Sequence, residues 1–145
     1  MTQPEVTLGQ LVSDGQVFYQ KLRAWHWTVK GPDFFDLHEK FEELYTEWAT
    51  HVDDLAERML GRGMTPPLTY AAALEHSALK EVSGSAEARP MVEHCVTDLD
   101  TIIGRLGSAI AHYEEKNDRR TVNLLDDIRD AQTKHIWMLK SWLGR

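Results

Sequence analysis

The chain has 145 residues, of which 16 are basic and 23 are acidic, so its formal net charge is −7. At roughly 100–200 residues per domain, this length predicts a single domain over residues 1–145. The acidic balance is the opposite of what proteins that coat nucleic-acid phosphates carry, which argues against a nucleic-acid-binding class. A composition of 42% hydrophobic and 27% charged residues is typical of a folded protein and excludes a disordered one.

Cysteine content and hydropathy indicate which cellular compartment to expect for the protein. Cys95 is the single cysteine, which excludes an internal disulfide framework and a cysteine-based zinc cluster, and its spacing predicts an inert buried thiol. No apolar run approaches the ~18 residues that span a bilayer. The first five residues have neither the positive nor the apolar region of a secretory signal. We therefore expect a cytoplasmic protein without a membrane partner.

Apolar residues recur at three- and four-residue spacing in four long stretches, which predicts four amphipathic helices. The first helix ends before Gly31-Pro32, because proline and the residue before it both resist helical continuation. The start of the third is ambiguous because of Pro90. The predicted helices run from Leu8 to about Val29, from about Phe34 to Leu60, from near Ser85 or Pro90 to about Glu115, and from about Arg119 to Leu143.

The segment from Met64 to Gly84 differs from these stretches and predicts a long crossover that contains a short helix near Tyr70–Leu79. No stretch shows the alternation of apolar and polar residues that is typical of a half-buried strand. Four long helices with one long connection between the second and the third describe an all-α, ferritin-like four-helix bundle.

Polar residues of the second predicted helix share one face. At ~100° per residue, with His38 at zero, Glu42 falls near 40°, Asp53 near 60° and Glu57 near 100°. Asp53 and Glu57 are like charges four residues apart, which mildly destabilises a helix unless a cation offsets them. Either that cation is Arg58 or a neighbouring lysine, or the carboxylates are simply solvated, or the face binds a metal.

Helix geometry limits how such a metal site can form. His38 and Asp53 are 15 residues apart, or ~22 Å along a helix, so they cannot share a metal within one chain. An antiparallel second copy related by a two-fold axis places Asp53 and Glu57 opposite His26 and His38. Imidazole with carboxylate suits Fe(II), while zinc or cobalt can occupy the same ligands. No glutamate has a histidine three residues on, so the Glu-x-x-His di-iron site inside one chain is excluded.

Two motifs of the chain are the run HWTVKGPDFFDLHEKFE at 26–42 and the run DDLAER at 53–58. They closely resemble the Dps family, the dodecameric mini-ferritins known as DNA-binding proteins from starved cells, and the likeness extends over all four helices to KHIWM at 134–138. The resemblance implies a hollow shell of twelve copies with a ferroxidase centre at each two-fold interface. The family's ligand roles fall on His26, His38 and Glu42 of one subunit and on Asp53 and Glu57 of its partner.

The activity that this resemblance implies is oxidation of Fe(II), preferably by hydrogen peroxide, followed by storage of ferric mineral as protection against oxidative stress. Glu42 departs from the family, which commonly has aspartate there, so the second iron position is expected to shift by a methylene or to be reached through water. Trp25 and Trp27 either absorb stray oxidising equivalents or, as helical spacing favours, belong to the core.

Local charge bears on two further functions known in the family, which are DNA binding and iron entry through a pore. Residues 1–20 contain no lysine or arginine, so we expect iron storage without direct DNA binding; the alternative is a nucleoid-protecting DNA-binding protein with secondary iron oxidation. The opening of the fourth helix is acidic, with Asp118, Asp126, Asp127 and Asp130. Of these, Asp126 or Asp127 and, less strongly, Asp130 are candidates for a negative iron-entry pore; the alternative is a solvated face with interleaved arginines. A third hypothesis for the whole chain is that it is a purely structural helical module. Outside the site, His51 is placed on the second helix about 160° from Asp53 and away from the carboxylates, and His76 in the crossover. His94, His112 and His135 are interpreted as surface or interface residues.

Overall fold

The computed structural model describes residues 6–82 and 87–145. Within those ranges it contains helices and no strand, which confirms the all-α class and the four long helices. The first five residues, the Ser83-Gly84-Ser85 segment and the alternative helix start at Ser85 lie outside the described part. In chain order the helices are α1 (Leu8–Thr28), α2 (Phe34–Gly61), α3 (Tyr70–His76), α4 (Ala88–Glu115) and α5 (Arg119–Trp142).

The ends of α1 follow from local sequence chemistry. Thr7 accepts a hydrogen bond from the Gln10 backbone N–H at 3.3 Å, and the Gln10 side chain accepts one from the Thr7 N–H at 2.9 Å. This capping box satisfies two of the amide groups that an isolated helix start leaves unpaired. At the other end, Gly31 has a φ of 110°, a conformation that side chains rarely adopt. The short turn returns the chain as α2, antiparallel to α1.

A glycine allows α1 and α2 to pack closely. A Cβ atom on Gly15 would lie 2.6 Å from Val52 Cγ2 and 3.1 Å from the Trp48 ring. The Trp48 ring also meets Phe18 edge-on, with centroids 5.8 Å apart. This contact fixes how α1 and α2 face each other, and therefore how their polar residues are presented. The largest fully buried side chains come from α1, α2 and α4 and include Phe18, Leu22, Leu37, Phe41, Leu44, Trp48, Leu55, Met91, Leu99, Ile102 and Leu106.

The crossover helix α3 ends at His76, three residues before its predicted end at Leu79. Asp14, which is 1% exposed, explains the difference. Its Oδ1 accepts hydrogen bonds from the Ser77 hydroxyl at 3.0 Å and from the Ala78 N–H at 2.8 Å. Its Oδ2 accepts one from Arg105 Nε at 2.6 Å. The carboxylate therefore diverts the chain out of the helix and ties the crossover to α1 and α4.

Within the two described ranges, no helix combines the length and the apolar character needed to cross a bilayer.

Candidate metal centre

Two histidines meet across the α1–α2 turn. His26 lies in the last turn of α1 and His38 near the start of α2, and their rings stack with centroids 3.7 Å apart. Nδ1 of His26 lies 2.7 Å from the His38 carbonyl oxygen, and Nδ1 of His38 lies 2.8 Å from the His26 carbonyl oxygen. Because a carbonyl oxygen only accepts, each Nδ1 carries the proton. In the neutral form of such a ring, Nε2 carries the free lone pair, which is the arrangement that ligating histidines require.

Aromatic side chains hold this histidine pair in place and link it to Glu42. Phe34 stacks on His38 with centroids 4.8 Å apart, and Tyr45 meets His26 edge-on at 5.3 Å. The Tyr45 hydroxyl donates to Glu42 Oε1 at 3.4 Å. Burial, followed by the negative charge of Glu42, raises the pKa of Tyr45, so its hydroxyl remains the donor. Sequence reasoning missed Tyr45, although its position three residues after Glu42 on a helix was a usable signal.

The predicted carboxylates form a separate cluster further along α2. Oxygens of Asp53, Asp54 and Glu57 all lie within 4.8 Å of one another on the exposed surface. Asp54 was not among the predicted ligands, and the structure adds it to the cluster. Oxygen atoms at this separation are able to share one divalent cation, since carboxylates are common ligands of such ions.

Arg58 does not neutralise this cluster, which removes one of the alternatives left open by the sequence. Its Nη2 donates to Asp118 Oδ1 at 3.0 Å, and its Nε donates to the Thr121 hydroxyl at 2.9 Å. Among the residues that the structure describes, no ion pair involves Asp53 or Glu57. The carboxylates therefore face solvent without a counter-charge.

The structure thus divides the five predicted ligands into two groups. His26, His38 and Glu42 lie near the α1–α2 turn, and the carboxylate cluster lies toward the other end of the same helix. Since α2 is one continuous helix, the 15 residues between His38 and Asp53 correspond to ~22 Å. One chain does not bring the imidazoles and the carboxylates together.

Comparison with known proteins decides the family. The chain matches the family model for a ferritin-like domain over residues 7–145. It is 45% identical over 138 residues to a DNA protection during starvation protein of Brevibacillus brevis, covering 95% of this chain and 93% of the relative. The chain belongs to the Dps family.

Solved Dps structures have the same fold. A Dps protein from Bacillus brevis superposes with a TM-score of 0.92 at 45% identity, covering 94% of this chain and 91% of that one. One from Vibrio cholerae, described as a member of a broad superfamily of ferritin-like diiron-carboxylate proteins, gives 0.91 at 33% identity, covering 94% and 86%. One from Listeria innocua, soaked with zinc, gives 0.93 at 31% identity, covering 95% and 94%.

A polar network between α2 and α5 corrects the prediction for His135, which is buried and not a surface residue. Its Nε2 donates to Glu47 Oε2 at 3.0 Å, while Lys40 Nζ donates to its Nδ1 at 3.1 Å. Gln132 donates to the same Glu47 oxygen at 3.2 Å, and His51 Nε2 lies 3.4 Å from it. Burial raises the pKa of Glu47, but these hydrogen bonds outweigh it and hold the pKa well below its ordinary value.

The two tryptophans of the Dps motif have different environments. Trp25 is 4% exposed and belongs to the core, as helical spacing favoured. Trp27 is 58% exposed, so the core interpretation is wrong for it, and the Arg23 guanidinium lies 4.9 Å from the centre of its ring.

The remaining candidates of the sequence analysis are placed as follows. Asp126 accepts a hydrogen bond from Arg129 at 2.8 Å, as in the solvated-face alternative, whereas Asp127 and Asp130 are exposed. Cys95 is fully buried, and this burial raises its thiol pKa, which confirms the buried-thiol prediction. His76 and His94 are exposed.

Proposed function

We propose that this protein oxidises Fe(II), preferably with hydrogen peroxide, and stores the product as ferric mineral inside a hollow shell of twelve copies. The oxidation takes place at centres shared between two-fold-related subunits. The observation that carries the proposal is the division of ligand types on one chain. An imidazole pair with free Nε2 atoms lies ~22 Å from a cluster of carboxylates that have no counter-charge. Each group alone offers an incomplete set of ligands, and a second copy supplies the other group.

Iron is the substrate of this centre. His26, His38 and Glu42 of one subunit and Asp53 and Glu57 of the other offer the mixture of nitrogen and oxygen ligands that Fe(II) accepts. Two Fe(II) ions each give one electron to hydrogen peroxide, the O–O bond breaks, and two hydroxide ions form. Paired electron transfer leaves no hydroxyl radical, which is the protective benefit. Zinc and other divalent metals are expected to compete for the same ligands, because their raw affinity exceeds that of Fe(II).

Features of this chain favour that assignment over a purely structural module. The reciprocal hydrogen bonds between His26 and His38 hold both rings in the tautomer that binds metals. The diiron-carboxylate description of the Vibrio cholerae relative agrees with the ligand types. Glu42 replaces the family's usual aspartate, and its hydrogen bond from Tyr45 restrains the longer side chain. We place the protein in the reducing cytoplasm, which suits a chain with a single buried cysteine.

The decisive variant is Asp53→Ala. Wild-type protein is loaded with Fe(II) without oxygen, treated with hydrogen peroxide and separated by size, with iron and protein measured together. We expect iron to co-migrate with a shell of about twelve subunits, and the variant to oxidise iron at least ~10-fold more slowly because a ligand is lost. Asp100→Ala, which removes an exposed carboxylate of α4, is the matched control and is expected to behave as wild type.

Two results would contradict the proposal. If the protein runs as a monomer and iron precipitates freely, there is no shared centre. If Asp53→Ala oxidises iron as fast as wild type, the polar face of α2 that carries Asp53 and Glu57 is no more than a charged helix surface.

Direct DNA binding is the second candidate function, and it is suggested by the name of the Brevibacillus brevis relative. The net charge of −7 and the absence of lysine and arginine from residues 1–20 oppose it. We therefore rank it below iron storage.

A further inference from the structure

We propose that Asp118 is a positioning residue of the metal centre, because it holds the Arg58 guanidinium away from the carboxylates that receive iron. The inference rests on the proposed function and adds to it a residue outside the ligand set. Asp118 lies 60 positions after Arg58, immediately before α5. Nothing in the local sequence of α2 indicates this role.

The Asp118 carboxylate uses both of its oxygens to build a clamp. Oδ1 accepts from Arg58 Nη2 at 3.0 Å and from the Thr121 N–H at 3.3 Å. Oδ2 accepts from the Thr121 hydroxyl at 2.7 Å and lies 3.3 Å from Arg62 Nε. The Thr121 hydroxyl in turn accepts from Arg58 Nε at 2.9 Å. Thr121 is fully buried, so the clamp is anchored in the protein interior.

Without the clamp, Arg58 has another partner within reach. It directly follows Glu57 and is four residues after Asp54, and an aspartate–arginine pair at this spacing forms readily on a helix surface. Oxygens of Asp53, Asp54 and Glu57 lie within 4.8 Å of one another, so a guanidinium bound to one of them approaches all three. Arginine does not lose its proton in proteins. Its position therefore decides whether it competes with a metal cation.

The expected size of this competition follows from Coulomb's law. A single positive charge ~6 Å from a divalent cation in a water-like dielectric weakens metal binding by about tenfold. The clamp thus explains why an arginine is compatible with a neighbouring carboxylate cluster that has to stay free for iron.

The test uses Asp118→Asn in the assembled protein. Asparagine caps a helix as well as aspartate does, so this change removes the charge and keeps the cap of α5. Binding of Fe(II) without oxygen and the oxidation rate at low iron are measured. We expect affinity about tenfold weaker than wild type. Adding Arg58→Gln is expected to restore the affinity, because the competing cation is gone. Arg62→Gln in the same background is the matched control and is not expected to restore it.

The outcomes separate this inference from the proposed function. Unchanged binding in Asp118→Asn overturns the inference alone, provided that Asp53→Ala still slows oxidation at least ~10-fold. Weak binding that Arg58→Gln fails to rescue also overturns it, because the effect is then a general loss of structure. If wild-type protein binds no Fe(II), the proposed function fails and this inference fails with it.

Discussion

Individual side chains of this protein act through partners that fix their charge or tautomer. The clearest case is the histidine pair, in which each backbone carbonyl selects the protonated nitrogen of the other ring. Lys40 likewise fixes the tautomer of His135. Its ammonium donates a hydrogen bond to Nδ1, so the ring proton lies on Nε2 and is donated to Glu47. The two tautomers are therefore opposite. His26 and His38 leave Nε2 without a proton-bearing role, whereas His135 uses its Nε2 proton to stabilise the partly buried carboxylate of Glu47.

The Glu47 network predicts a pH-dependent stability. The pKa of Glu47 is lower in the folded protein than its ordinary value of 4.5, so its charged form stabilises the fold above that value and this contribution is lost as the pH falls below it. Glu47→Gln is expected to destabilise the protein by roughly 1–2 kcal/mol at pH 7. The difference from wild type should shrink as unfolding is measured at successively lower pH below 4.5.

The control for this variant is Glu43→Gln. Glu43 pairs with Lys40 at 3.2 Å, but its side chain is 59% exposed, so the change is expected to alter stability by less than ~0.5 kcal/mol. A Glu47→Gln effect that is the same at pH 7 and at low pH would show that the loss comes from packing and not from the carboxylate charge.

At the scale of the helices, close approach of α1 and α2 depends on the missing side chain of Gly15. Gly15→Ala is expected to destabilise the protein by about 1–3 kcal/mol, because the new Cβ overlaps Val52 and the Trp48 ring. Gly104→Ala in α4 meets nothing within 4 Å and is expected to stabilise by about 0.5–1 kcal/mol through helix propensity. Urea unfolding of the two variants measures both effects. Equal stabilisation by both substitutions would contradict the close packing of α1 on α2.

The helices also show where sequence patterns were sufficient. The starts of α1, α2 and α5 and the end of α4 were predicted at the observed residues, because capping groups and turn residues stand beside them in the chain. The end of α3 was predicted too late. The carboxylate that terminates it is Asp14, whose partners Ser77 and Ala78 lie more than 60 residues away in sequence.

For the whole molecule, charge predicts the relation to DNA. With −7 per copy, and no lysine or arginine in residues 1–20, twelve assembled copies are expected to repel phosphate. We expect no retardation of duplex DNA in a gel at about 150 mM salt, neutral pH and with EDTA present, since binding through counterion release requires several cations. The same protein carrying an added lysine-rich tail is the control and should retard DNA. Retardation by the unmodified protein that weakens steeply with salt would contradict this prediction.

Some features of the candidate metal centre were predictable from the sequence, and others depend on the tertiary structure. The types and spacing of His26, His38, Glu42, Asp53 and Glu57 were readable from the sequence, and so was the conclusion that one helix cannot bring them together. Their use as ligands stays a prediction. The Tyr45 contact with Glu42 was missed although it lies within α2 and its spacing was a signal. Two features were not readable: the burial of His135 and the withdrawal of Arg58 from the carboxylate cluster. Each depends on which side chains meet after the helices pack.

The sequence by itself determined the helices, the bundle class and the family, because helical periodicity, capping groups and the His-Trp and Asp-Asp motifs are local properties of the chain. The tertiary structure decided which charges are paired. Arg58 is four residues from Asp54 along the chain but is bonded to Asp118, 60 residues away. A guanidinium joins the carboxylate with the better geometry and deeper burial, and that choice exists only when α2 and α5 are packed together.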